Sequence, residues 1–174
     1  MFTQPTSQAN SPHPVHAPKG AAAVALMFST EAGRHGAETA IARLDEVGFG
    51  ALRPRAWFFF GAYLVRREDL REAAAAWGRI SAAEDIGAHA AAACVLPALD
   101  GRAEQAADTF PRLAAHAAEL VSEVIWTIFE IGEALARKRR TRAAGGRAYE
   151  TALLLAEHSG DPLLAENLRR AHTG

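Results

Sequence analysis

The chain reads as all-α, a solenoid of stacked antiparallel helix hairpins with about eight or nine short helices, and three observations predict this. Beyond residue 20 Ala, Leu, Glu and Arg prevail and β-branched residues are sparse, a composition that favours helix over strand. No segment alternates apolar and polar residues with period two for long enough to form a strand. Large apolar anchors recur at Ile41, Trp77, Phe110 and Tyr149, spaced by 36, 33 and 39 residues, as in a repeated two-helix unit whose neighbours must stack to complete a core. The 174 residues suffice for one domain.

The elements follow in order. Residues 1–20, MFTQPTSQANSPHPVHAPKG, are rich in Pro, Ser, Gln and His and predict a disordered N-terminal tail. The apolar run AAAVALMF after Lys19 has no convincing small-residue cleavage site behind it, so it reads as the start of a helix and not as a secretory signal. Helices are expected over 21–31, 35–47, 54–67, 69–80, 86–98, 102–117, 120–138, 143–158 and 162–171. Gly48 and Gly50 end one helix and Pro54 starts the next; Asp100-Gly101 forms a turn; Gly160 closes a helix before Asp161-Pro162, an N-cap followed by proline at the first helical position. Pro97 is expected to end or kink its helix early. The long last interval implies an insertion around ARKRRTRAAGG.

Within the repeat, Trp57-x2-Phe60-Gly61-x2-Leu64 is followed by Ala73-x3-Trp77, and later come Ala106-x3-Phe110 and Gly145-x3-Tyr149. A small residue such as Gly61 lets the paired helix approach, and the large residue opposite fills the space beyond. This pattern resembles the tetratricopeptide repeat family, best over 53–84, in the second half of 87–118, and in degenerate form over 21–48 and 120–158. The resemblance implies a right-handed solenoid over 21–174, with hairpins at about 21–48, 53–84, 86–118 and 120–158 and a terminal helix at 161–172. It also implies a non-catalytic adaptor, scaffold or regulatory module with a concave partner groove on the first helix of each unit. Carried over from the small residues Gly61, Cys94 and Gly132, the groove positions with chemistry are Arg55, Phe58, Val65, Arg66, Trp126, Phe129 and Arg137. Such a face suits an apolar peptide or helix with some acidic residues. The groove could instead be filled by the terminal helix or by a second copy in a homo-oligomer.

The segment AWFFFGAYLV, with Trp57 to Phe60 in succession, raises the question of what covers it. It is far short of the ~20 apolar residues that span a bilayer, so no membrane association is expected. At helical spacing Trp57, Phe60, Gly61 and Leu64 face the hairpin interior, and Phe58, Ala62 and Val65 face another side. A helix apolar all round has neighbours on most sides.

Other chemistry is thinly represented. A net charge of −1 gives no overall field to steer polyanions, and nucleic acid is not expected as a partner. The basic run Lys138, Arg139, Arg140 and Arg142, beside Arg137, reads first as cations at a helix C-terminus. A docking patch for an acidic partner is the other reading. One cysteine, Cys94, fits a reducing, cytoplasmic setting and, among AAAACVL, an inert core thiol. His13 with His16, Glu31 with His35, and His116 with Glu119 are isolated pairs, whereas a metal needs three or four converging ligands. No nucleophile elbow or phosphate loop is present. No cofactor, metal or catalytic set is therefore expected, and an enzyme or small-molecule site in the concavity is the third alternative. The alanine- and arginine-heavy usage is that of a GC-rich, bacterial-type coding sequence.

Overall fold

The computed structural model describes residues 33–46 and 48–173. They form eight α-helices and no strand: α1 Gly33–Ala42, α2 Arg53–Arg66, α3 Leu70–Trp77, α4 Ile86–Leu99, α5 Ala106–His116, α6 Val121–Ala136, α7 Arg142–His158 and α8 Pro162–Thr173. Short 3-10 turns at Gly50–Leu52, Ala103–Gln105 and Ala118–Leu120 lead into α2, α5 and α6. The tail expected over 1–20 and the helix expected over 21–31 lie outside the described residues. So do Glu31, His13 and His16.

Local chemistry sets most boundaries. Asp161 Oδ1 accepts the Leu163 and Leu164 amides at 3.0 and 3.2 Å, with Pro162 opening α8, where its missing N–H costs nothing. Gly160, at φ +77°, supplies the left-handed residue that closes α7. Asp85 caps α4 in the same manner, its Oδ1 accepting from Gly87 and Ala88 at 2.9 Å. Two expectations need correction. The helix expected over 35–47 ends at Ala42 and continues as hydrogen-bonded turns that close with Phe49 N–H donating to Leu44 O. Pro97 does not end α4 early, since the helix runs on to Leu99. It stands in the last turn, where the Pro97 carbonyl accepts the Asp100 and Arg102 amides and the chain leaves through that turn.

The helices pair as α2/α3, α4/α5 and α6/α7, with α1 on α2 and α8 on α7 and α6. In the first pair the Trp77 indole N–H donates to Phe58 O at 3.0 Å and its ring stacks on Phe58, centroids 6.3 Å apart. A Cβ on Gly61 would overlap that indole, so glycine is what lets Trp77 lie across α2. In the third pair a Cβ on Gly145 would stand 2.6 Å from Gly132 O, and the backbones of α6 and α7 meet there.

The first helices of the three pairs also pack on one another. Helix α4 touches α2 and α6, and α2 touches α6 directly. Ala88, Ala90, Ala91, Ala92 and Ala98 of α4 are all buried. These small residues let neighbours approach closely, while Ile86, His89, Ala93 and Leu96 stay partly exposed along the other side, so α4 lies between α2 and α6 with one face toward solvent.

Gly61→Ala is expected to cost on the order of 1–3 kcal/mol, as overpacking does. Gly146→Ala, with nothing within 4 Å of the added methyl, should be neutral or stabilising by up to ~1 kcal/mol. Urea denaturation of both variants checks the pair.

Candidate functional site

The site anticipated along the first helices becomes, in the structure, a seam between α2 and α6. On α2 the interval between Arg55 and Arg66 is three helical turns, so both guanidiniums lie on one face. On α6 and the turn before it, Glu119, Glu123, Glu130 and Arg137 follow at intervals of four and seven, again one stripe. The stripes meet. Arg55 bonds Asp85 at 2.9 Å and also reaches Glu119. Arg66 bonds Glu123 at 2.7 Å and Glu130 at 2.9 Å. Arg137 pairs with Glu68 at the end of α2.

The seam changes the position of the apolar residues. Phe58 is 0% exposed, Val65 2% and Phe129 6%; Trp126 is half-buried. The expectation that Phe58 and Phe129 line an open groove is therefore corrected: they are core, whereas Val65, though buried, borders the cleft where α2 ends. Phe58 turns to its hairpin partner Trp77. Phe129 meets Trp126 edge-on at 5.6 Å and Tyr149 of α7 at 6.1 Å, and Tyr149 stacks on His172 of α8 at 3.8 Å. Phe58 and Trp126 share no ring contact. The structure joins the predicted arginines Arg55, Arg66 and Arg137 to one interface and sends the predicted aromatics into separate hairpins.

Where α2 ends, the seam opens into a cleft of about 250 Å³. Val65 and Ala134 contribute its apolar lining, and Arg66, Glu68, Glu130, Glu133 and Arg137 the charged part. Glu68 stands at φ +63°, the left-handed position after a helix where glycine is usual. A non-glycine residue there costs about 1–2 kcal/mol, and here its carboxylate reaches Arg137. Burial, the largest influence on Glu130, pushes its carboxyl above the usual range even though Arg66 pulls the other way. Its Oε2 is buried without a hydrogen-bond partner. Burial also raises Asp85, but the Ala88 amide and the Arg55 guanidinium outweigh it and hold that carboxyl below the usual range.

The remaining candidates fall elsewhere. Lys138, Arg139 and Arg140 are exposed on the turn between α6 and α7, and Arg142 is exposed as the first residue of α7. His116 ends α5, while Glu119 is engaged by Arg55. Among the described residues no three His, Cys, Asp or Glu side chains gather as a metal site would require. Cys94 is buried, its Sγ donating to Ala106 O at 3.8 Å, and burial pushes the thiol up to about 12. Such a thiol is not a nucleophile at neutral pH.

Comparison with known proteins finds no matching family model, no similar curated protein and no similar solved structure. The seam itself is what the sequence reading missed. Its partners were separated by 57 to 69 residues, and the only available signal was the complementary spacing of Arg55 with Arg66 and of Glu119, Glu123 and Glu130.

Phe58→Ala should cost about 3–5 kcal/mol, the range for truncating a buried aromatic. Trp126→Ala, half-buried, should cost clearly less. Chemical denaturation of the two single variants measures the difference.

Proposed function

We propose that this chain is a non-catalytic helical interaction module, an adaptor, scaffold or regulatory partner, that takes a peptide or short helix of another protein at the open end of the α2–α6 seam. The observation that carries this reading is the cleft itself. Three of the residues singled out from the repeat pattern, Val65, Arg66 and Arg137, line one concavity with an apolar floor and a charged rim. Its lining is mostly charged, with Val65 and Ala134 the two apolar residues, which suits a peptide that carries charges of its own beside a small apolar side chain. The Arg137 side chain is 65% exposed, so a partner carboxylate can reach it from solvent in exchange for Glu68. The tetratricopeptide-like pattern favours the same kind of role.

A second reading, self-association, is supported by Leu154 and Leu163, which are 47% and 66% exposed on α7 and α8. Large apolar side chains on the last helices of a stack are a natural contact for another copy. Sedimentation velocity over a dilution series separates the two readings.

Arg137→Glu places a carboxylate beside Glu68 and Glu133 while removing one solvent-exposed pair, worth about 0–1 kcal/mol of stability. The melting curve should barely move, and affinity for a partner identified by pull-down should fall at least about tenfold, as for an anchor residue. Unchanged affinity in a folded variant would contradict the cleft as the docking point.

A further inference from the structure

More than half of the described arginines outside the turn between α6 and α7 are ion-paired, and those that are not, such as Arg71 and Arg112, stand singly, whereas this turn gathers its unpaired cations in one place. Arg53 pairs with Asp45 and Glu84, Arg55 and Arg66 with seam carboxylates, Arg102 with Asp100, Arg169 with Glu157 and Arg170 with Glu166. Lys138, Arg139, Arg140 and Arg142 are exposed, and among the described residues none of these side chains has an ionic or hydrogen-bond partner. The sequence explains why. The sixteen residues between Glu133 and Glu150 hold six Arg or Lys and no carboxylate. A net charge of −1 thus conceals a strongly segregated positive patch, and the absence of an overall field does not extend to this turn.

The turn is also held in place. Thr141 Oγ1 donates to Leu135 O at 2.6 Å, and the Thr141 amide to Lys138 O at 3.0 Å. Because Thr141 is tied to the end of α6, it gives α7 no side-chain cap. The positive end of a 17-residue helix therefore lies against the same cations and adds to the local potential. Four unneutralised cations on five residues repel one another, and a dense row of negative charge relieves that repulsion.

We propose that this turn is a docking surface for the phosphate backbone of a nucleic acid, bound without regard to base sequence. Three features favour phosphates over other acidic partners. From Ala136 to Ala148 no side chain is aromatic or larger than alanine and apolar, so the patch has no anchor of the kind that gives a protein partner its affinity. Nor does it have the second, inserting signal that stable membrane attachment needs. A nucleic acid requires neither, because release of its condensed counterions supplies the affinity. Three of the four free cations are arginines, whose planar fork fits phosphate oxygens in pairs. Contacts to phosphate carry no sequence information by themselves, so docking through them is independent of base order.

Fluorescence anisotropy of the full chain with a labelled duplex of about 20 base pairs, titrated between about 50 and 200 mM salt, tests this. Four phosphate contacts predict that the logarithm of affinity falls against the logarithm of salt with a slope of roughly −3 to −4. The combined variant Lys138→Gln, Arg139→Gln, Arg140→Gln, Arg142→Gln should lose at least about tenfold in affinity at low salt, with the slope near zero and the melting curve unchanged. A parent slope shallower than about −1, or equal binding by parent and variant, overturns the proposal. So does tighter binding to polyglutamate or to vesicles rich in phosphatidylserine than to the duplex at equal salt.

Discussion

Close approach between helices is the constraint on which the rest of this molecule depends. Gly61 admits the Trp77 indole across α2, and Gly132 with Gly145 brings the backbones of α6 and α7 together. The buried alanines of α4 do the same on the sides it turns to its neighbours. With α4 so thin, α2 and α6 are not held apart by it. They meet over and beside it, and what a row of wider first helices would leave open becomes a seam. Dispersion contacts weaken steeply with separation, so each of these small residues contributes through its neighbours and not through itself.

The seam then decides which residues are available for binding. Arg55 and Arg66 face carboxylates of α4 and of the α6 side, with only partial exposure. Half-buried pairs of this kind fix orientation and register more dependably than they add stability, because desolvation offsets much of the attraction. Beneath them Phe58 is closed off. Solvent reaches the seam at the cleft where Glu68 accepts a left-handed backbone and Arg137 reaches across. The opposite solution appears one turn of chain further on, where four cations project from a braced turn with no counter-charge of their own.

Much of the helical architecture was legible in the sequence. The positions of α2, α4, α7 and α8 follow from Pro54, the Asp100-Gly101 turn, and Gly160 with Asp161-Pro162, because caps and breakers act within a few residues. The roles of Gly61, Trp77, Gly132 and Gly145 were also readable, since a small residue on an apolar face has few other reasons to be there. Pro97 was misjudged because its cost depends on its place within a turn. The groove was misjudged for a different reason. Periodicity shows that Phe58, Ala62 and Val65 share a face, but not which helix covers that face. Phe58 is covered from within its own hairpin by Trp77, whereas the carboxylates of the seam lie more than fifty residues away, and the stripe of Glu119, Glu123 and Glu130 has meaning only beside Arg55 and Arg66.

The closed seam can be tested by a single distance-sensitive measurement. With Cys94→Ala to remove the native thiol, a nitroxide attached at Arg137→Cys sits at the α6 end of the seam. Paramagnetic broadening of amide resonances is then mapped along the chain. If α2 packs on α6 as described, the amides of Val65, Arg66, Arg67, Glu68 and Asp69 broaden as strongly as those at the start of α7. If those amides stay sharp while only α6, α7 and α8 respond, the first helices do not close on one another, and the account of the seam, the buried Phe58 and the cleft is contradicted.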